Sequence, residues 1–427
     1  MNAPTALDDL AGRAAGLAYS DLAEPTVRQV ELLVTDLVGA AIAGARRCEL
    51  TRYADKAAST RQARMLVSGD RWGEAGVAAF VNGCACVALE LDDGLVGGGH
   101  AGAHVIPAAL AAAQREHRCG AELIAAVVAG YEVAARLFRA YRLRYPAHPH
   151  GHLGAVGGAV AVARLTGTSP SAAARVASTL PILSTWSACF EGVSARNAVV
   201  GLANLVAITA ADLADAGFVG ATGALEEAFG QIAGEPRDAD ALGGDVDPAR
   251  LAVHDAVTKH LSVAGPLHCA VEAARQVARP GRIIEVRVET VAGNVKFAGQ
   301  PRPNSLSSRF SLPYAVAAAL CKDPARVRSF DHDPEVAALA ARVRVVAAPD
   351  LEEHHPGTHA ARVTVVGPDG EDTALVTEPK GGPARPATEA ELAAKFAALV
   401  PGAAPVHERL TSLRDVEDCA TLIDGAL

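Results

Sequence analysis

The run AELIAAVVAGYEVAARLFRAY, residues 121–141, decides the fold. Its apolar residues recur at helical spacing and cover most faces, the pattern of a helix enclosed by others rather than laid on a surface. The segments around it read the same way. VRQVELLVTDLVGAAIAGA, residues 27–45, repeats the spacing and meets Gly44 near its end. LGAVGGAVAVARLTG places Gly154, Gly157 and Gly158 on a helix, each costing about 1 kcal/mol relative to Ala, but small residues at that spacing let a second helix come close. TSPSAAARVAS offers Ser169 as an N-cap and Pro170 at the first helical position. From Pro25 to about Leu267 the signals are nearly all helical.

After about Ala278 the pattern changes. RIIEVRVETV, residues 282–291, alternates as a half-buried strand, and ARVTVVGPDGEDTALVTE reads as a hairpin turning at Gly367 to Gly370. Between them Asp333 and Pro334 start a short helix, PEVAALAARV. TEAELAAKFAALV begins with Thr388 and Glu391, a capping-box pattern. The expectation is a mainly α protein: a large all-helical domain over 1–268, a smaller α+β lid domain over 269–387, and C-terminal helices over 388–427 that return to the helical domain.

Composition narrows the function. At 427 residues the chain can bury a large core, and with half its residues apolar but only 4% aromatic that core is built from Ala, Val and Leu. A formal charge of −9 argues against nucleic acid or an anionic membrane as partner. Only six residues are Lys, so an Arg in this chain is weak evidence of selection for guanidinium chemistry. Eight cysteines show no disulfide framework, and Cys84 and Cys86 read as small buried thiols. The best membrane candidate, Ala198 to Ala211, is short and carries Asn204, so it reads as a core helix. No secretory signal opens the sequence. These features point to a cytoplasmic protein that neither spans nor binds a membrane.

The chemistry gathers in ELDDGLVGGGHAGAHVIP, residues 90–107. Glu90, Asp92 and Asp93 precede a glycine loop at 97–99, and His100 then stands before a helix expected from Val105 with Pro107 in its first turn. A second cluster, HPHGH, sets His148, His150 and His152 in a loop before the glycine-rich helix. A metal centre needs three or four convergent ligands, and Pro149 and Gly151 make this an irregular loop, so no metal is expected. HHPGTH, residues 354–359, lacks a metalloprotease glutamate and reads as an exposed loop. Lys259 and His268 flank a GP loop and each could bind an anion. Tyr314 opens a helix. No P-loop, GxSxG or dinucleotide fingerprint sits between strand and helix, so phosphoryl and hydride transfer lack support.

Together these segments resemble the MmgE/PrpD family, which includes 2-methylcitrate dehydratase, cis-aconitate decarboxylase and iminodisuccinate epimerase. The likeness runs over most of the chain, through LLVTDLVGAAIAGA, the 90–107 segment, VVAGYEVAARL, HPHGHLGAVGGAVAVARLTGTS, GLANLVAITAADLADAGFVGA, KHLSVAGPLHCAVEA and SSRFSLPYAVAAAL. It implies a homodimer, chemistry next to a carboxylate without metal or other cofactor, and a site between the domains. Position by position, His100 and His148 fall on family histidines, Lys259 and Tyr314 match functional positions, and Glu90 stands where decarboxylase-like members have an Asp. Three positions depart: Gly94 replaces a Thr, Arg196 a Lys, and Ala264 the decarboxylase His.

The resemblance implies a dehydratase acting on a small hydroxy-carboxylic acid, with decarboxylation or epimerisation of a related acid, or an inactive dimeric member, as alternatives. In that reading His100 and His148 move protons. Arg196 and Lys259 act as cationic clamps, Arg196 with a planar fork open to a carboxylate. Tyr314 donates or orients a proton, Asp93 orients a histidine, and Glu90, Asp92 and His268 contact the substrate.

Overall fold

The computed structural model describes residues 4–151, 153–277 and 281–425. His152 lies outside them.

The 121–141 run is the helix Gly120–Ala140, and its side chains are almost all buried, Tyr131 among them. It packs against the helix Gly154–Thr166 at backbone contact. A Cβ on Gly130 would come within 2.6 Å of the Gly157 carbonyl, and one on Gly157 within 2.3 Å of the Gly130 carbonyl. Only glycine permits that approach, so the propensity cost of the glycines is offset by packing. The helices Glu24–Gly44, Ala75–Cys86, Ala101–Arg115 and Ala195–Asp215 complete the bundle. Ser169 caps the helix Pro170–Thr179 through the Ala172 N–H, and Pro170 is its first residue. Cys84 and Cys86 are buried, and burial pushes the Cys84 thiol up to about 12.

The helix Ala195–Asp215 is long and apolar enough to cross a membrane by length and composition, but half of its apolar window is buried inside the protein. Asn204 on it donates to the Ala103 carbonyl and accepts from the Ala108 N–H. That polar staple inside a bundle is the work of a core helix.

A second apolar core runs from Leu261 to Val376 and also takes Trp186 and Cys189 from the helical part. It lies on a four-stranded sheet in the order 370–376, 361–367, 285–290, 343–347. The hairpin forms as expected, with Gly370 opposite Gly367. The strand Val343–Ala347 was not anticipated from the sequence. It pairs parallel to Glu285–Thr290 at the sheet edge after the helix Pro334–Ala340, and its largely exposed side chains hide the alternation that marks a strand. The chain is thus mainly α with a smaller mixed α and β part. Thr388 and Glu391 form the capping box of the helix Glu389–Leu399, which returns to pack on Glu24–Gly44.

A two-stranded ladder positions the chemistry. Asp93–Leu95 runs antiparallel to Ala256–Thr258, with Asp93 opposite Thr258. Asp92 and Lys259, 167 positions apart in the chain, therefore leave the end of one ladder side by side.

Candidate active site

The acidic segment does not form the loop-then-helix boundary read from sequence. The helix begins at Ala101, with His100 as its N-cap residue and Pro107 in its interior. Asp93, far upstream, is the reason it starts there. Its two carboxylate oxygens accept from the Gly102 and Ala103 N–H groups at 2.8 and 2.9 Å, and the Tyr131 hydroxyl donates to it at 3.4 Å. A carboxylate on the free N–H groups of a first turn is the favourable end of the helix dipole. Burial pushes the Asp93 pKa up to about 6 even with His100 and these donors opposing it. Its side chain is committed to the helix, and its main chain reaches the site.

His100 is held from that main chain. Its Nδ1 lies 2.7 Å from the Asp93 carbonyl oxygen and 2.9 Å from Asp92 Oδ2. A carbonyl can only accept, so Nδ1 carries a proton. His104, one turn further on, is fixed likewise: Nδ1 is 2.5 Å from the His100 carbonyl, and Nε2 accepts from the Gly151 N–H at 2.8 Å. His104 thereby ties the first histidine loop to the second.

Asp92 also receives the Lys259 ammonium at 2.7 Å, which stands 3.6 Å from Glu90 Oε2. Glu90 faces Arg196 at 2.5 Å. All four side chains are buried, an alternation of two carboxylates and two cations. Burial works against each charge, yet the partners outweigh it. Lys259, His100 and Arg196 hold Asp92 well below the usual carboxylate range, and Asp92 and Glu90 hold Lys259 above the ordinary lysine value. Glu90 holds Arg196 charged in the same way. Lys259 is thus a fixed cation, not a base. Glu90 adopts φ +53°, a left-handed conformation uncommon for a side chain of its size, and the ion pairs hold it there.

His148 and His150 complete the cluster. The His150 N–H donates to His148 Nδ1 at 3.3 Å, so the His148 proton sits on Nε2. The His150 ring lies between the other two, 4.1 Å from His100 and 4.8 Å from His148 by centroid. Among the described residues neither of its ring nitrogens has a hydrogen-bond partner. Burial and the neighbouring His100, Arg196, His148 and His104 push its pKa well down, so it is neutral. Sequence reasoning treated His150 as incidental; the structure puts it at the centre. Asp92, His100 and His150 offer donor atoms within 4.8 Å of one another. The His100 and His150 rings stack at 22°, and His100 Nδ1 is already engaged by the Asp93 carbonyl at 2.7 Å.

These groups open on a cleft of about 370 Å³ between the helical part and the mixed part. Glu90, His100, His148, His150, Arg196, Lys259 and His268 line it, with Gly94 and Ala264 in the wall. Burial, His260 and Lys259 push the His268 pKa down to about 3, so it is a neutral wall group. Three expectations change. Arg196 has no open fork: Nη2 faces Glu90, and Nη1 donates to the Val87 carbonyl and Asn197 Oδ1, leaving only Nε without a hydrogen-bond partner among the described residues. Tyr314 is not brought to the cleft. Its hydroxyl donates its one proton to the Asp331 carbonyl at 2.7 Å and accepts from the Asp333 N–H at 2.8 Å. The HHPGTH loop is no bystander either, because residues 355–359 border the cleft from the side of the mixed part.

The mixed part also contributes Lys296, whose ammonium lies 4.1 Å above the Trp186 ring, and Asn294, whose buried Oδ1 lacks a partner among the described residues. No motif signalled either; only their place after the strand 285–290 brings them in.

A helical bundle and a smaller mixed part thus meet at a cleft that carries a histidine–carboxylate–cation cluster. The MmgE/PrpD N-terminal domain matches residues 8–237 and the MmgE/PrpD C-terminal domain residues 262–419. The chain belongs to the MmgE/PrpD family, whose members support a dehydratase-like or related activity in general. A search of curated proteins finds no match to it.

Proposed function

We propose that the protein is a cofactor-independent lyase that removes water from a small hydroxy-carboxylic acid by taking a proton next to a carboxylate. The observation that carries this reading is the His100 tautomer. With Nδ1–H donated to the Asp93 carbonyl and Asp92 alongside, the ring turns a lone pair at Nε2 toward the chemistry and gains a carboxylate to stabilise the imidazolium it becomes. His148 has the complementary form, with its proton on Nε2, and acts as the donor to the departing hydroxyl. Each histidine is held by a main-chain group, which supports these roles of base and acid.

The charge that develops on the substrate carboxylate needs cations already in place. Lys259 and the Nε of Arg196 supply them at the inner end of the cleft. Lys296 supplies one at the lid end, with no carboxylate partner among the described residues. Ala264 in the wall offers no proton, which favours dehydration over the decarboxylation that family members with His there perform. In line with the family, we expect a cytoplasmic homodimer. The test is to incubate the protein with 2- and 3-hydroxy mono-, di- and tricarboxylic acids and to follow alkene formation in the ultraviolet. Turnover of one acid, lost in His100→Gln, is the expected result. Release of carbon dioxide without water loss would replace this reading with the decarboxylase one.

A further inference from the structure

The strand ladder that brings Asp92 to Lys259 stops one residue short of them, at Asp93 and Thr258. The side chain that stands at the open end is Lys395, from the C-terminal helix Glu389–Leu399. Its ammonium donates to the Lys259 carbonyl at 2.5 Å and to the Leu91 carbonyl at 3.4 Å. Its remaining bond goes to Asp36, 2.7 and 2.9 Å from the two carboxylate oxygens. Leu91 immediately precedes Asp92, so one ammonium grips the main chain at both members of the Asp92–Lys259 pair. Lys395 touches none of the cleft in which the histidines lie. It lines a separate cleft of about 600 Å³ on the far side of the strand, with Leu91, Thr258 and His260.

We propose that Lys395 is a positioning residue for the acid/base centre: it closes the end of the ladder and fixes Asp92 against Lys259, and through Asp92 the His100 ring. The inference rests on the reading of His100 and Asp92 as that centre. An ammonium suits the task because it has three protons for two carbonyls and a carboxylate, and all three are used. Asp36 balances its charge, so the grip adds no net charge behind the site. The C-terminal helix thereby becomes part of the catalytic apparatus although it contributes no group to the cleft.

Displacement of catalytic groups by about 1 Å costs on the order of 10²-fold in rate, and that is the loss expected of Lys395→Met, in kcat more than in KM. Because this variant strands a buried Asp36, the paired Asp36→Asn, Lys395→Met variant is made as well; it removes both charges but leaves the carbonyls ungripped. The proposal expects the paired variant to fold, by circular dichroism, and still to show about the 10²-fold loss. A second readout needs no substrate. With only six lysines, ¹⁵N-lysine labelling isolates the Lys259 ammonium, whose protons should exchange with solvent at least tenfold faster in the paired variant. Unchanged exchange, recovery of kcat in the paired variant, or failure of that variant to fold would each overturn the assignment, placing Lys395 in stability alone. A wild type inactive on every acid would sink the dehydratase reading, while the exchange measurement would still decide the role of Lys395.

Discussion

Asp92→Asn tests the electrostatic core of the site with the least change of shape. Asp92 does two things at once: Oδ2 lies 2.9 Å from His100 Nδ1 and Oδ1 accepts from Lys259 at 2.7 Å. In triad enzymes, the same exchange at the acid behind a histidine costs about 10⁴ because the imidazole then adopts the wrong tautomer. Here the Asp93 carbonyl, 2.7 Å from Nδ1, keeps the tautomer whatever stands at position 92. What is lost is charge. A unit pair about 4 Å apart at an effective dielectric of about 20 interacts by roughly 4 kcal/mol, an upper bound near 10³ in rate. Lys259, freed from Asp92 but still near Glu90, adds repulsion toward the imidazolium. The expected result is a loss of about 10²–10³ in kcat, with the fold intact. The assay is steady-state dehydration of the best acid at saturating concentration. A kcat within threefold of wild type would refute the claim that Asp92 stabilises a charged His100, and a loss near 10⁴ would show that the Asp93 carbonyl does not hold the ring.

Three further outcomes follow from the same geometry. Wild-type protein should turn over 2-methylcitrate and cis-aconitate weakly or not at all, with kcat/KM below about 10⁴ M⁻¹ s⁻¹. The paired Gly94→Thr, Arg196→Lys variant is the comparison, and a Cβ at Gly94 would meet only Val257 at ordinary contact, 3.5 Å; efficient wild-type turnover of either acid would refute a reshaped cleft. His268 makes the fold acid-sensitive. Its folded pKa, near 3, lies below the unfolded value of about 6.5, so its stabilisation is present above pH 6.5 and lost as pH falls toward 3, at about 1.4 kcal/mol per unit. Urea unfolding at pH 6.5 and pH 5 should therefore show about 2 kcal/mol less acid loss in His268→Gln than in wild type, and equal losses would remove His268 as the cause. Dialysis against a strong chelator should leave turnover unchanged, because Lys259 and Arg196 already place fixed cations beside the cleft; activity that vanishes and returns with a divalent cation would instead assign Asp92, His100 and His150 to a metal.

Much of the fold was legible in the sequence because most of its helices announce themselves locally. The spacing in residues 121–141, the Ser169 and Pro170 start and the Thr388 and Glu391 box depend only on neighbours in the chain, and each appears where it was read. The edge strand Val343–Ala347 escaped because solvent covers most of it and its partner lies some 57 positions upstream. The start of the helix Ala101–Arg115 was misplaced for a similar reason. Its cap is the Asp93 carboxylate, too far back for any local capping rule. The site divides along the same line. His100, His148, Glu90, Asp92 and Lys259 sit in segments whose composition and family likeness marked them; the cleft brings four of them together, and Asp92, off its wall, pairs with His100 and Lys259. The commitments of Arg196 and Tyr314, and the entry of Lys296 and the 355–359 loop, follow from tertiary packing that no spacing encodes.

The central claim is proton abstraction next to a carboxylate by His100, and hydrogen exchange at that carbon reports it whether or not water then leaves. The measurement is proton NMR of the turned-over hydroxy acid in D₂O with chelator present, comparing wild type with His100→Gln. The account predicts loss of the C–H signal beside the carboxylate in wild type and a rate about 10²–10⁴ lower in the variant. No exchange in wild type, or equal exchange in both proteins, would contradict it.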